Sequence, residues 1–397
     1  MPDKILVTFS SLILIMGAFQ GVLFSILLVF KKHQRRSINL HLSIILLALS
    51  AETFHLFLLK TNYINELKIL AGFSLPFDGV IAISLYWYVR TITYPEKNNT
   101  IKTVILHYLP FFVYVLLTIP FWNLEFSQQI NFLNTGALSS DWPPIIYNSV
   151  LLQSVLKILF FLIYLTLSFN LLLNHKKRIR DVFSYNENIT LSWLTNLLWL
   201  FLFGASQGLI LLIFFQEPST SIQVAGSLET FTLLTIMYIG IMGLLQPKIY
   251  KQPERIYLKL REIQNTTNQD IKTKYKKSAL SKDDLKRISG KIEAIMDSKS
   301  LYLDANLTLP KLAEELKIAP HYLSQTFSTT LNVSFFDYIN SCRINYAKQQ
   351  LLDGENTTRT IADIATGSAF NSRSAFYSAF KKHVGMTPAQ FREISIK

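Results

Sequence analysis

The stretch "AFNSRSAFYSAFKKHVGMTP", residues 369–388, combines an apolar and a basic helical face. Phe376 and Phe380 are four residues apart, so they fall on one side of a helix. Arg373 and the lysines at 381–382 supply positive charge. A segment of this kind fits either an anionic membrane surface or a groove of DNA, and the rest of the chain has to decide between them.

The closing quarter of the chain contains two copies of one pattern. In the first copy, "LTLPKLAEEL" at 307–316 is followed by a brief turn and then by "PHYLSQTFSTTL" at 320–331. In the second copy, "TIADIAT" is followed by the turn "GSAF" and then by "NSRSAFYSAFKK". A helix, a tight turn and a second helix at these lengths predict helix-turn-helix units at about 308–331 and 359–383. The second helix of such a unit, the recognition helix, enters the major groove of DNA.

Local signals in the first copy support this prediction. Thr308 suits the N-cap of the first helix, and Pro310 suits its first turn. Between the two copies, the segment 334–352 reads as one helix, about 28 Å long at 1.5 Å per residue. Neighbouring major grooves on one face of DNA lie roughly 34 Å apart, so this helix is a suitable spacer for two recognition helices.

Residues 301–397 resemble the DNA-binding domain of AraC-type bacterial transcription regulators. The resemblance is carried by "LAEELKIAPHYLSQTF", "RINYAKQQLL" and "IADIATGSAFNSRSAFYSAFKKHVGMTPAQFR". It covers about a quarter of the chain. The whole layout, apolar spans followed by this domain, is similar to a membrane-bound subgroup of these regulators.

The resemblance implies contacts with DNA at the start of each recognition helix. The implied base-reading residues are His321, Tyr322, Ser324, Gln325, Ser372, Arg373, Ser374 and Tyr377. The implied phosphate contacts are Arg359, Lys381 and Lys382. Arginine pairs well with guanine and glutamine with adenine, which favours Arg373 and Gln325 as specific contacts. The alternative for any single residue in this set is a solvated position on a helix surface.

The chain departs from the family pattern in each turn between two helices. The family usually has glycine there, where the backbone must be left-handed, and Lys317 and Ala369 occupy these places. An alanine in that conformation costs about 1 kcal/mol. In addition, Ala319 stands where a serine usually caps the first recognition helix, at a cost of about 1 kcal/mol.

The composition of the whole chain predicts membrane spans. Half of the 397 residues are hydrophobic and only 16% are charged, whereas a soluble globular chain is about a quarter charged. Seven segments have the length and apolar character of transmembrane helices: 7–30, 38–59, 67–90, 103–120, 145–173, 190–215 and 225–246. The predicted fold is therefore all-α, a seven-helix transmembrane bundle followed by a soluble all-α double helix-turn-helix domain.

Basic residues at the span ends predict the orientation. One set of loops has eleven: Lys31, Lys32, Arg35, Arg36, Arg90, Lys97, Lys102, Lys176, Lys177, Arg178 and Arg180. The opposite side has three: Lys4, Lys60 and Lys68. Because basic loops stay in the cytoplasm, we expect the N-terminus outside and the C-terminus inside a bacterial cytoplasmic membrane crossed several times.

The composition also predicts the domain boundaries. A transmembrane domain covers 1–247, a basic linker covers 248–283, and the DNA-binding domain covers 284–397. The net charge of +13 divides into +4 for residues 1–247 and +9 for the remainder. The connection 121–144, with its two tryptophans and a pair of prolines, is expected to be non-helical and interfacial.

Polar residues inside the predicted spans are candidates for a ligand site. They are Gln20, Glu52, Asp78, Gln153, Lys157 and Gln207. Lys157 with Asp78 or Glu52 would neutralise a buried charge, next to a kink expected at Pro76. The alternative is an interhelical network that only fixes packing. The pentapeptides "GAFQG" at 17–21 and "GASQG" at 204–208 predict faces for close helix approach.

No motif of enzyme chemistry is found in the sequence, so we expect no enzyme, no metal and no cofactor. The single cysteine, Cys342, is interpreted as a buried, inert thiol. The expected partners are double-stranded promoter DNA, the lipid bilayer, a small-molecule ligand, and a second copy of the chain when DNA is bound. The alternative function is a transporter or receptor whose basic tail docks on lipid or on a protein partner.

Overall fold

The computed structural model describes residues 5–31, 36–94, 101–135, 139, 141–185, 191–214, 218–245, 281–352 and 359–396; for 36–37, 101, 207–214, 218–228 and 395–396 it describes the backbone alone. Throughout these ranges the regular elements are helices, which confirms the all-α prediction. The helices of the first half are α1 (Phe9–Phe30), α2 (Arg36–Lys60), α3 (Asp78–Thr93), α4 (Ile101–Thr118), α5 (Phe126–Thr135), α6 (Pro144–Val182), α7 (Ser192–Phe214) and α8 (Pro218–Leu245). Those of the second half are α9 (Lys282–Lys299), α10 (Leu309–Leu316), α11 (Pro320–Thr329), α12 (Phe335–Leu352), α13 (Ile361–Gly367), α14 (Arg373–Val384) and α15 (Pro388–Ile396).

The chain divides into two compact units. The first comprises Met1–Leu173 and Leu191–Lys248, and the second comprises Asn174–Thr190 and Ile249–Lys397. The transmembrane domain predicted from the sequence includes residues 174–190, whereas the two compact units group them with the C-terminal residues. Hydrogen bonds from this segment to the C-terminal helices, described below, are the physical reason.

The first unit contains the apolar helices. In the described residues, five helices are long and apolar enough to cross a membrane: Phe9–Phe30, Ile38–Lys60, Lys68–Thr93, Lys102–Asn123 and Pro144–Val182. They coincide with the first five predicted spans. The sixth and seventh predicted spans coincide with α7 and α8, whose described apolar stretches, Ser192–Ser206 and Glu229–Leu245, are shorter. A seven-span bundle therefore stays a prediction.

Small residues let the helices of this unit approach closely. A Cβ atom added to Gly21 on α1 would lie 2.1 Å from the Ser50 hydroxyl on α2, and one added to Gly204 on α7 would lie 2.6 Å from the Phe231 ring on α8. Real Cβ atoms do not come this close to other atoms, so larger residues would force the helices apart. These two predicted packing faces therefore have neighbours in the structure.

Two details of the first unit differ from the sequence-based expectations. The third span is not one kinked helix, because short 3₁₀ turns precede α3, and the α-helix begins at Asp78 just after Pro76. The connection 121–144, expected to be non-helical, contains α5. The Gln129 side-chain amide on α5 donates to the carbonyl of Leu124 at 3.0 Å, which ties this helix to the chain before it.

The second unit has two hydrophobic cores on opposite halves of α12. The first joins α9, α10, α11 and the start of α12, and it ends along the chain at Ile339. The second joins the rest of α12 to α13 and α14, and it begins at Ile344. Helix α9 begins at Lys282, behind the capping Ser281, and residues 248–280 of the predicted linker lie outside the described residues.

Candidate nucleic-acid interface

The first helix-turn-helix unit has the predicted caps. The Thr308 hydroxyl accepts from the backbone N–H of Lys311, and Pro310 lies in the first turn of α10. Lys317 ends the helix in the left-handed region, with φ of 53°. The next residue, Ile318, donates its N–H back to the carbonyl of Ala313 at 3.0 Å, which closes the turn before α11.

The second unit repeats this geometry. Ala369 has φ of 61°, and Phe370 donates its N–H to the Ala365 carbonyl at 3.1 Å. Both units thus use a left-handed residue followed by a hydrogen bond to the carbonyl five residues earlier, as helix C-caps do. The left-handed backbone expected at Lys317 and Ala369 is confirmed, although neither residue is glycine.

The two recognition helices, α11 and α14, begin differently. Ser372 caps α14, since its hydroxyl accepts from the N–H of Ala375 at 3.2 Å. Ala319 precedes α11 and carries no side-chain oxygen that accepts a hydrogen bond, as the sequence predicted. Ser372, implied as a base-reading residue, therefore already has a structural role at the helix terminus.

Helix α14 presents a polar face to solvent. Arg373, Ser374 and Lys381 are exposed, and together with Tyr377 they share one side of the helix at 100° per residue. The Arg373 guanidinium donates to the Tyr377 hydroxyl at 3.2 Å and lies 5.3 Å from its ring centroid. Tyr377 also packs on the second core, so it orients Arg373 on this face.

Helix α11 has a smaller polar face. Gln325 is exposed, while Ser324 is half-buried. The ring centroids of His321 and Tyr322 lie 3.9 Å apart, and Tyr322 packs against the first core. Burial lowers the pKa of His321, so this imidazole is mostly neutral at pH 7.

The three implied phosphate contacts have different surroundings. Arg359 is exposed and donates to the Gln350 side chain at 3.3 Å. Lys381 is exposed on the same face as Arg373. Lys382 instead donates to the Asp337 carboxylate on α12 at 2.6 Å. Nine residues separate Lys382 from Arg373, which places them about half a turn apart around α14.

Sequence reasoning missed a buried arginine at the centre of the second unit. Arg343 on α12 is only 1% exposed. Its guanidinium donates to the carbonyls of Tyr302 at 2.7 Å and Asp304 at 2.8 Å. It also donates to the carbonyl and the hydroxyl of Ser184, each at 3.0 Å. The one sequence feature that could have indicated a partner for this arginine is Ser184 itself, which lies between Phe183 and Tyr185 just after the basic residues at 176–180.

Cys342 lies beside this arginine and is half-buried. Burial raises the pKa of its thiol. The thiol is therefore protonated and weakly nucleophilic at neutral pH.

In the first unit, the structure brings together three of the six predicted intramembrane polar residues. Lys157 on α6 forms an ion pair with Asp78 at the start of α3, and Glu52 on α2 is close enough to both groups to interact with them electrostatically. Of the two partners considered for Lys157, Asp78 thus makes the contact. One turn earlier on α6, Gln153 donates to the Thr118 hydroxyl at 2.6 Å.

The remaining two polar residues do not join this cluster in the described contacts. Gln20 is half-buried on α1. The side chain of Gln207 lies outside the described residues.

Known proteins match the second unit. Residues 312–394 match the family model described as "Helix-turn-helix domain". The melibiose operon regulatory protein of Escherichia coli (strain K12) is 38% identical over 92 residues, which is 23% of this chain and 30% of that relative. An uncharacterized HTH-type transcriptional regulator of Staphylococcus aureus (strain COL) is 34% identical over 102 residues, 26% of this chain and 13% of the relative. The chain thus spans less than a third of the length of either relative.

Among solved structures, a protein of unknown function from Listeria innocua is 33% identical, with a TM-score of 0.23, and the match covers 27% of this chain and 95% of that one.

The C-terminal part of this chain is therefore a helix-turn-helix domain of the class that transcription regulators use to bind DNA. In the structure this domain has two helix-turn-helix units joined by one helix, α12.

Proposed function

We propose that the whole chain is a membrane-embedded one-component transcription regulator. Its transmembrane part senses a signal, and its C-terminal part binds promoter DNA sequence-specifically through two helix-turn-helix units. One observation carries the proposal: two recognition helices with matching left-handed turns flank a single helix, α12, in a chain that also has five long apolar helices. A tail that only docks on lipid needs one basic amphipathic helix and no such duplication.

The implied contact residues divide into three groups by their surroundings. Arg373 and Ser374 are exposed at the start of α14, and Gln325 is exposed in the second turn of α11, which suits base reading. Lys381 and Arg359 are exposed cations, which suits phosphate.

The remaining implied residues are His321, Tyr322, Ser324, Ser372, Tyr377 and Lys382, and they are half-buried or already hold protein groups. We propose that they mainly orient the first two groups.

For the transmembrane part, we propose that the Glu52, Asp78 and Lys157 cluster responds to the signal. Ionisable groups are costly inside a bilayer, so three of them together on α2, α3 and α6 indicate a functional site. A small polar ligand that pairs with one of them would shift the packing of all three helices. The alternative, a network that only fixes packing, predicts no ligand-dependent change.

We further propose a bacterial cytoplasmic membrane location with the DNA-binding part in the cytoplasm, and a homodimer on DNA. The basic residues at the span ends support this orientation. Residues 301–397 carry a net charge of only +2. Two copies would double the phosphate contacts and strengthen the dependence of affinity on salt.

The deciding experiment uses the full chain in lipid nanodiscs and a library of randomised DNA duplexes. We expect repeated selection to enrich one sequence motif, bound at least a hundredfold more tightly than random duplex. If no motif emerges and the chain instead gains affinity for vesicles of anionic lipid, the tail docks on membranes and the proposal is wrong. Retention of the chain in membranes after an alkaline carbonate wash tests the embedding independently.

A further inference from the structure

Residues 174–185, named the strap here, belong to the second unit although they connect two predicted spans. The strap consists of the last nine residues of α6 followed by Phe183, Ser184 and Tyr185. Phe183 is only 2% exposed and pairs in antiparallel fashion with Thr308. Thr308 is the N-cap of α10, so the strap lies directly against the start of the first helix-turn-helix unit.

Ser184 holds the strap in place through three kinds of hydrogen bond. Its N–H donates to the carbonyl of Leu307 at 3.3 Å, and its hydroxyl donates to the same carbonyl at 2.7 Å. Its own carbonyl and hydroxyl oxygens accept from Arg343. A guanidinium removed from water requires an acceptor for each N–H. Ser184 supplies two of them, so the strap completes the surroundings of this buried charge.

Arg343 lies where the two helix-turn-helix units meet. Along α12 it stands between Ile339, the last residue of the first core, and Ile344, the first residue of the second. Its guanidinium also lies 5.8 Å from the ring centroid of Phe370, in the turn of the second unit. The strap is thus attached at the junction that sets how the two recognition helices are held relative to each other.

A second attachment connects the strap to recognition helix α14. Arg180 of the strap forms an ion pair with Asp337 on α12 and lies over the Phe336 ring. The other oxygen of the Asp337 carboxylate accepts from Lys382 on α14. One carboxylate therefore holds both the strap and a recognition helix.

The strap leaves the exposed face of α14 open. Ser184 and Tyr185 line a cavity whose α14 residues are Ala375, Ser378, Ala379, Lys382 and His383. At 100° per residue, this side of the helix is turned well away from the side that carries Arg373, Ser374 and Tyr377. A docked strap therefore does not cover the α14 residues proposed to contact bases.

We propose that the strap is an integral part of the DNA-binding unit and that its docking holds the two recognition helices in their DNA-binding arrangement. The strap begins within α6, a helix that starts at Pro144 in the first unit. Docking is then the route by which the state of the transmembrane helices sets the affinity for DNA. This inference rests on the proposed DNA-binding function.

The test needs a measure of docking that does not involve DNA. In the full chain in nanodiscs, Cys342→Ser removes the native thiol and Ser184→Cys introduces one in a site that is 1% exposed. The substitution removes the serine hydroxyl but leaves the backbone N–H and carbonyl of residue 184, which bond to Leu307 and Arg343. The rate of maleimide labelling at position 184 then reports how often the strap is undocked. Affinity is measured separately on a duplex that the wild-type chain has selected from a randomised library.

Arg180→Glu is the variant that should undock the strap, because it sets two carboxylates against each other at Asp337. Lys177→Glu is the matched control, since it makes the same charge change on an exposed residue one turn earlier. We expect Arg180→Glu to speed labelling and to weaken DNA binding, each by about tenfold. Lys177→Glu should leave labelling unchanged and weaken binding by less than about threefold. Arg180→Lys keeps the positive charge and should resemble the parent in labelling rate and in affinity for DNA.

Three outcomes overturn the proposal. Docking does not hold the DNA-binding arrangement if the parent thiol at position 184 reacts as fast as in urea while the parent still binds the selected duplex as tightly as the wild-type chain. Docking does not support DNA binding if Arg180→Glu speeds labelling while affinity matches the Lys177→Glu control or rises above it. If Arg180→Glu lowers the affinity for DNA without a faster labelling rate, the substitution acts on DNA binding without undocking the strap. Phe183→Asp, which puts a charge in the other buried attachment, is judged by the same two measurements.

A chain that selects no DNA motif contradicts the proposed function, and the labelling rate still decides whether the strap docks. A chain that selects a motif but fails the comparison of variants contradicts the strap proposal alone. The two failures are thereby distinguishable.

Discussion

Ser184 and Arg343 are 159 positions apart in the chain and share two hydrogen bonds of 3.0 Å. The serine lies in the connection between the fifth and sixth predicted spans, and the arginine lies at the centre of the helix that joins two helix-turn-helix units. Because the guanidinium is buried, this contact makes a short loop part of the hydrophobic interior of the second unit.

Loss of the buried guanidinium should destabilise the second unit strongly. Arg343→Ala leaves the carbonyls of Tyr302 and Asp304 without their donor and opens a cavity, so we expect a loss of about 3 kcal/mol or more. Hydrogen exchange of the α12 amides measures this, with protection falling by about two orders of magnitude. Arg359→Ala, which truncates an exposed arginine, should change protection little, and equal effects of the two substitutions would contradict the assigned role.

The second unit should be more stable with glycine in place of Ala369. Its φ of 61° is strained for alanine, so Ala369→Gly is expected to stabilise the second unit by up to about 1 kcal/mol. Ala294→Gly is the matched control, because Ala294 is exposed inside α9 and glycine there should destabilise by about 1 kcal/mol. Thermal unfolding of the two variants should therefore shift in opposite directions. A shift in the same direction would refute the strain at position 369.

Arg373 should control sequence preference. If it contacts a base, Arg373→Ala lowers discrimination between the selected motif and its single-base variants by about 1–3 kcal/mol. The comparison is Lys381→Ala, which should weaken all duplexes alike and reduce the slope of log affinity against log salt by about 1. Uniform weakening by Arg373→Ala would instead identify Arg373 as a phosphate contact.

Asp337 should give the second unit an acid-sensitive component. Burial raises the pKa of its carboxyl, but hydrogen bonds from Lys382 and Ser334 and the nearby positive charges outweigh this, so the pKa lies below its ordinary value of 3.8. A group with a lowered folded pKa stabilises fully above its unfolded pKa and loses that contribution as the pH falls through the folded value.

We therefore expect the unfolding temperature to fall more steeply below about pH 4 in the wild-type chain than in Asp337→Asn. Asp297→Asn replaces an exposed carboxylate on α9 and should leave the wild-type profile in place. Identical profiles for wild type and Asp337→Asn would contradict the prediction, because they would mean that the pKa of Asp337 is the same in the folded and unfolded chain.

Much of the second unit was predictable because its signals are local. Thr308 caps the helix that follows it, and the spacing of Phe376 and Phe380 defines the buried side of α14. Even the strained turns at Lys317 and Ala369 follow from the order of helix, turn and helix. The apolar lengths likewise predicted five of the long helices that the structure contains.

Contacts between distant residues were decided by the tertiary structure alone. The local sequence does not show that the Lys382 ammonium is held by Asp337, 45 positions earlier in the chain. The sequence also left two partners open for Lys157, and the structure pairs it with Asp78.

The sequence by itself thus determined the two helix-turn-helix units, the Thr308 cap and the polar face of each recognition helix, because these depend on residues within one or two turns. Only the tertiary structure decided that the strap belongs to the second unit. The physical reason is that a buried guanidinium takes whichever oxygen acceptors the folded chain brings to it, and Ser184 is brought there by packing rather than by proximity in sequence.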